Sequence, residues 1–384
     1  MGTPAPIPAA RHAADSFLGG LQPFHLVYFL LNVGDGDSQV VLLPEDPAGE
    51  RRLLVVDVAK KGKTIALIAA LEAAGLIGPA PAAGADPDGS VALVVATHPH
   101  SDHIAGMAEL LATQRTRLAE FWDPGYFHTS QSYHQMMTEV EANSLLGYAQ
   151  PTAGFRRWFG TALVTVLSPA VGLRNRFDTY GTEVNDSSIS LRVEFPAARV
   201  VQRGAERELL DQSNTMALIL GADAQTLSWS FVLTDFPQLH TDDNAAAKAI
   251  RAATGSDPLS AKVMKVSHHG SKHGINLELM ERINPALTLV SSTADGTRFH
   301  FPHTVAQELI REAKDPLAGL GAARVRPDAD LGLFYTSDRE DTGGAGTVLG
   351  SMAVVMGRGV ATLWRFGDDT DDDVDLSQGR RFTG

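Results

Sequence analysis

Apolar residues in this chain fall into short runs, many of them closed by glycine, aspartate or histidine. Phe24–Val33, Ser38–Leu43 and Leu53–Val58 read as a meander of strands, and Val91–Ala96 as a further buried strand. Thr64–Ala74 differs: Ile65, Leu67, Ile68 and Leu71 recur at helical spacing, which predicts a helix covering one face of that sheet. Ile104–Leu118 reads as a second helix. In the second half, Leu163–Ser168, Ile189–Phe195, Thr215–Leu220, Thr226–Leu233, Ala261–Val266 and Ala286–Ser291 read as strands. Asn244–Ala253 and Val305–Ala313 read as helices, and Ala353–Phe366 as a closing strand pair around Gly357-Arg358-Gly359. Two strand-rich halves with helices in each predict an α/β fold, a four-layer αββα sandwich.

The segments between these elements set the boundaries. Residues 1–22 read as an irregular arm, 23–366 as one domain, and 367–384 as an acidic, disordered tail. Residues 79–89 form an Ala/Pro/Gly/Asp loop, and 199–211 a charged excursion. Loops at 172–185 and 321–347 are expected near the edge of a site. Residues of about 121–160 hold Phe121, Trp122, Tyr126, Phe127, Tyr133, Tyr148, Phe155, Trp158 and Phe159, with His128 and His134 among them. This predicts an aromatic-rich insertion that either packs its own small core or serves as a lid whose rings line a pocket or stack on bases.

One stretch carries most of the chemistry. Thr97-His98-Pro99-His100-Ser101-Asp102-His103 follows the apolar Val91–Ala96 run. Four metal-ligand side chains thus stand just past a strand end, enough to offer two ligands to each of two nearby ions. Imidazole and carboxylate without thiolate suit zinc, manganese or iron in a hydrolytic centre. Other strand-like runs end the same way: Leu53–Val56 in Asp57, Ser230–Thr234 in Asp235, and Ala261–Ser267 in His268-His269-Gly270-Ser271. The C-terminal edges of strands are where open sheets place their chemistry. A carboxylate such as Asp235 can bridge two cations.

These motifs resemble those of the metallo-β-lactamase fold superfamily. The resemblance runs from about Phe24 to Trp364. Val33-Gly34-Asp35-Gly36-Asp37-Ser38, Thr97–Gly106, Asn185-Asp186-Ser187-Ser188, Leu233-Thr234-Asp235 and Lys265–Ser271 are similar to one branch. That branch holds the hydrolase domain of bacterial DNA-uptake (competence) channel proteins. Phe299-His300-Phe301-Pro302-His303 resembles its late Tyr-Gly-His-Pro segment. The resemblance implies His98, His100, Asp102, His103, Asp235 and His268 as metal ligands, with Asn185 or a water completing the first site. It groups His98, His100 and Asn185 on one ion, Asp102, His103 and His268 on the other, and makes Asp235 the bridge. Asp57 would orient a ligand from behind. The chain departs from the branch at Asn32 and Asp35, so the early glycine segment reads as a hairpin turn. It departs again after Asp235, where Phe236-Pro237 replaces an alanine.

The implied activity is that of a dinuclear hydrolase, with a metal-bound hydroxide as nucleophile. Zinc is the expected metal and manganese the alternative. Asp102, His269 and His303 are the candidate catalytic groups, His269 and His303 as proton donors or substrate contacts. A phosphodiester, in nucleic acid or a nucleotide, is the expected substrate; a carbon ester or lactone is the alternative, and a metal-containing interaction module the alternative of another class. Lys265 and Lys272, flanking the paired histidines, are candidate phosphate contacts.

Composition adjusts this picture. The net charge of −13 argues against broad binding to nucleic acid, though not against a local basic groove. The absence of cysteine excludes disulfide partners and thiolate ligands, and fits a cytoplasmic protein. No run approaches the roughly 20 apolar residues of a membrane span, and the N-terminus lacks the pattern of a signal peptide. Nothing in the pattern assigns an oligomeric state.

Overall fold

The computed structural model describes residues 6–13, 15–174, 183–197, 200–203, 206–209, 214–237, 257–293, 300–315, 326–341 and 346–383. Two large mixed sheets dominate it. The first has ten strands, ordered 12–13, 380–382, 360–365, 352–357, 26–30, 38–42, 53–58, 91–95, 120–122 and 147–149. The second has seven, ordered 333–335, 287–290, 263–265, 216–220, 190–195, 162–168 and 156–159. In both, an antiparallel half gives way to a parallel half, at 53–58 beside 91–95 in one and at 216–220 beside 263–265 in the other.

Side-chain alternation sorts the core into three layers. Leu26, Tyr28, Leu30, Leu54, Val56, Leu93 and Val95 of the first sheet face Val164, Val166, Leu191, Val193, Leu218 and Leu220 of the second. The alternate residues Val27, Phe29, Val40, Val55 and Val94 pack outward on Leu67, Leu71, Leu110 and Met136, from helices 63–73, 107–113 and 131–142. Ile219 and Met264 pack outward on Trp229, Leu279 and Ile310, from helices 226–235, 277–283 and 304–314. The result is a helix–sheet–sheet–helix sandwich.

Several expectations are corrected. Thr226–Leu233 is not a strand but most of the helix Thr226–Asp235. The 121–160 stretch is no separate insertion: it crosses from one sheet to the other, with strand 120–122 inside the first sheet and strands 147–149 and 156–159 at the sheet edges, and Tyr133 and Met136 join the outer core. The acidic tail is ordered. Arg380–Phe382 extends the first sheet, Val374 and Leu376 are buried, and Asp368 accepts from the Ser351 amide and pairs with buried Lys63. The arm at 1–22 is partly built in, since His12–Ala13 pairs with that last strand and Phe17 is buried. The helix expected over Asn244–Ala253 lies outside the described residues. Among the described residues, no helix is long and apolar enough to cross a membrane.

Candidate metal centre

The parallel halves of both sheets end at one place, and the candidate ligands collect there. Strand 91–95 runs into Thr97, whose amide and hydroxyl both donate to Asp57. His98 follows in a bend and His100 in extended backbone, and Asp102 and His103 lie in a one-turn helix, Ser101–Ile104. From the second sheet, strand 216–220 leads through Gly221 and Ala222 to Asp223, and strand 263–265 leads to His268 and His269. The His268 amide donates to the Ala222 carbonyl, which locks these two segments together. Gly221 permits their approach: a Cβ there would lie 2.3 Å from the Ser267 hydroxyl.

Asp223 is 1% exposed, and its two oxygens face different partners. Oδ2 lies 3.7 Å from His98 Nε2 and 3.6 Å from His268 Nε2. His100 Nδ1 is 3.1 Å from the same His98 Nε2, and Asn185 Nδ2 is 3.5 Å from His268 Nε2. Oδ1 lies 3.2 Å from His103 Nε2 and 3.6 Å from His269 Nε2, while Asp102 Oδ2 is 3.9 Å from the first of these nitrogens and 3.7 Å from the second. Two donor sets thus share one carboxylate: His98, His100 and His268, with Asn185 beside them, and Asp102, His103 and His269.

The donor atoms fit divalent cations. His103 Nε2, His269 Nε2 and Asp223 Oδ1 are buried, converge on one point, and have no hydrogen-bond partner among the described residues. Buried polar atoms are rarely left so. The rear nitrogens are spoken for: His103 Nδ1 donates to Asp57 Oδ2 at 2.7 Å, and His269 Nδ1 to the Ser291 carbonyl at 3.0 Å. Each ring therefore turns its other nitrogen toward Asp223, as metal-ligating imidazoles do.

Electrostatics separates the two sets. Burial holds His98 well below the usual imidazole value and also lowers His100 and His268, leaving neutral lone pairs. Burial would lower His103 and His269 too, but Asp223, with Asp57 and Asp102, outweighs it and raises both. Burial would raise Asp223, yet His103, His269 and His268 hold it well below the carboxylate range. The second set therefore favours positive charge among its members, whether proton or metal. Asp57, Ala222, His268 and His269 all have positive φ, at 59°, 47°, 50° and 51°. Such backbone is costly for residues with a Cβ and gathers at functional sites.

The other expected residues fall as follows. Asp235 is exposed at the end of a helix and is not in the cluster; Asp223, which the sequence reading missed, stands where a bridge would. His268 groups with His98 rather than with His103, and His269 takes the place beside His103. Lys265 is fully buried and donates to Asp37, so it presents no charge to a substrate; Lys272 is exposed. The segment 34–37 joins antiparallel strands but is more than a hairpin turn, because the Asp37 amide donates to the Asp102 carbonyl at 3.0 Å. His303 caps the helix 304–314, its Nδ1 accepting from the Val305 amide, and its own amide donates to the Gly270 carbonyl. Phe301 and His128 stand beside the imidazoles, with ring centroids 5.2 Å from His268 and 6.1 Å from His100 respectively.

No family model and no curated protein matches the chain. Among solved structures it is similar to the metallo-beta-lactamase fold protein YhfI from Bacillus subtilis, with 11% identity, a TM-score of 0.36, and coverage of 76% of this chain and 92% of that one. It is similar to a long form RNase Z from yeast at 13% identity and a TM-score of 0.36, covering 70% of this chain and 38% of that one. A third is CmlA, a diiron beta-hydroxylase from Streptomyces venezuelae, at 10% identity and a TM-score of 0.33, covering 80% of this chain and 54% of that one.

Proposed function

We propose that the chain is a dinuclear metal-dependent hydrolase that cleaves phosphodiesters, in nucleic acid or nucleotides. The observation that carries the dinuclear reading is Asp223, whose two oxygens each face their own pair of imidazoles. His98, His100 and His268 would hold one ion, Asp102, His103 and His269 the other, and Asp223 both. Divalent ions in such a pair lower the pKa of water and offset the negative charge that builds on the reacting group. The chain's own part is orientation. Asp57 and the Ser291 carbonyl keep the rear protons of His103 and His269, so both lone pairs point inward. Phe301 walls the imidazoles on one side and His128 on another. With His269 among the ligands, His303 is left as the candidate substrate contact.

The phosphodiester class draws its support from the branch resemblance of the His268-His269-Gly270-Ser271 segment and from exposed Lys272. One observation favours the second reading, a neutral ester or lactone: Lys265 is committed to Asp37 and cannot meet a phosphate. Zinc- or manganese-loaded protein, assayed on single-stranded DNA, RNA, bis(p-nitrophenyl) phosphate and simple lactones, separates them. Phosphodiester cleavage with affinity falling several-fold between about 50 and 200 mM salt is expected. Lactone turnover with flat salt dependence and no phosphodiester cleavage would move the assignment. Fewer than two ions per chain after reconstitution would sink the dinuclear reading.

A further inference from the structure

Behind the second donor set, between the sheets, lies an ion pair that the chemistry above does not use. Asp37 and Lys265 are both fully buried, and Lys265 Nζ donates to Asp37 Oδ2. Asp37 comes from the loop ahead of strand 38–42 in the first sheet, and Lys265 closes strand 263–265 in the second. The pair therefore ties the two sheets together beneath the site.

Asp37 is also within reach of the ligands. Its Oδ1 has no hydrogen-bond partner among the described residues and lies 3.7 Å from His269 Nδ1; its Oδ2 lies 4.0 Å from His103 Nδ1. Both of those nitrogens already donate elsewhere, to the Ser291 carbonyl and to Asp57. Asp37 is thus a third acceptor facing two donors already in use. A carboxylate accepts more strongly than a peptide carbonyl. Freed from Lys265, Asp37 would draw the His269 proton away from Ser291 and turn that ring. It would compete with Asp57 for His103 in the same way.

Further bonds from neighbouring elements hold Asp37 and its loop in place. Ala59 donates its amide to the Asp37 carbonyl at 2.9 Å, and the Asp37 amide is held by the Asp102 carbonyl. Tyr28 donates to Gln39 Oε1 at 2.7 Å, and Gln39 Nε2 reaches Asp37 Oδ2 at 3.4 Å. Ser291 donates its hydroxyl to the Gly36 carbonyl, and a Cβ on Gly36 would lie 2.8 Å from the Asp102 carbonyl.

We propose that the Lys265–Asp37 pair is the positioning element of the second metal site: the ammonium holds Asp37 off the two imidazoles and so fixes where His103 Nε2 and His269 Nε2 point. The inference rests on the dinuclear reading. Removing only the lysine leaves a buried unpaired carboxylate, whereas removing both charges leaves a neutral pair of similar shape.

Calorimetric titration of metal-free protein with zinc alone, with a thermal melt of each variant, tests it. Native protein should bind two ions; a failure there is a failure of the dinuclear reading, seen before any variant is compared. Lys265→Met should keep the first ion at native affinity and bind the second about 10-fold more weakly or worse. The double variant Asp37→Asn with Lys265→Met should recover the second ion to within about threefold of native, a rescue that lost packing alone would not give. Native-like binding of both ions by Lys265→Met overturns the proposal. So does a double variant as weak as the single one. If Lys265→Met does not fold, the double variant decides alone by the same measure. Loss of fold in both overturns it too, because the pair would then be a strut between sheets.

Discussion

Replacing Asp223 by asparagine keeps the side chain's shape but removes its charge. The second oxygen becomes an amide donor that faces imidazole nitrogens or a cation. Asp223→Asn should therefore lower bound metal below one equivalent and cut turnover by roughly 100-fold or more. Asp235→Asn, exposed at a helix end, should leave both at native level. Metal analysis and rate measurement on the two variants check this, and the opposite ranking would restore Asp235 as the bridge. His98, His100, Asp102 and His103 were legible because local sequence alone brings them together. Asp223 was not, although Gly221-Ala222-Asp223-Ala224 directly follows the correctly read strand Met216–Leu220. The split of His268 from His269 was hidden for a different reason. Both residues have left-handed backbone, and that conformation sends adjacent rings to different oxygens of one carboxylate.

Most strands announced themselves through apolar runs that the structure buries on both faces. The exception explains the misplaced bridge. Leu227-Ser228-Trp229-Ser230-Phe231 alternates apolar and polar residues, the signature of a strand. Yet Ser228, Trp229 and Val232 are the buried positions, at helical spacing, and Leu227 is 44% exposed. Tertiary bonds overrule the pattern: Ser228 donates to Asp186, and Trp229 Nε1 to the Ala224 and Gly274 carbonyls. The short strand His12–Ala13 carries a pH-dependent element of its own. Burial first, then Arg380 and Arg365, push the His12 imidazole from 6.5 down to about 4. The unfolded chain takes up this proton below pH 6.5 and the folded chain only near pH 4, so stability present above 6.5 is lost as pH falls through that window. The full shift corresponds to about 3.4 kcal/mol, and solvent screening of this half-buried residue reduces the expected loss to roughly 1–2 kcal/mol. Denaturant titrations of native protein and His12→Gln between pH 7 and pH 4 should diverge in slope there; parallel curves would remove His12 from the account.

At the scale of the molecule, the four layers follow from two strand-rich halves, each needing one face covered by helices and the other by its counterpart. The fate of the chain's ends did not follow from pattern. A run of aspartates reads as solvated tail, but Asp368 is tied to Ser351, Asn32 and Lys63, and the chain then returns to the sheet. Deleting 367–384 would leave Lys63, 3% exposed, without its carboxylate partner and with only the Asn32 carbonyl to accept from it. An unpaired buried charge costs about 3–5 kcal/mol, which in a chain of this length lowers the melting temperature by roughly 4–6 °C. A thermal scan that moves by less than about 2 °C would show that the tail is dispensable to the fold.

The left-handed residues around the site carry one more consequence. Asp57, Ala222, His268 and His269 each hold a backbone shape that glycine would adopt freely. Anyone seeking a hardier version of this protein by relaxing strain would be drawn to these positions first. They are also where the chain's stiffness aims the ligands. Robustness gained there would come out of the precision of the centre, so the sound places to engineer durability lie in the outer helices and at the sheet edges.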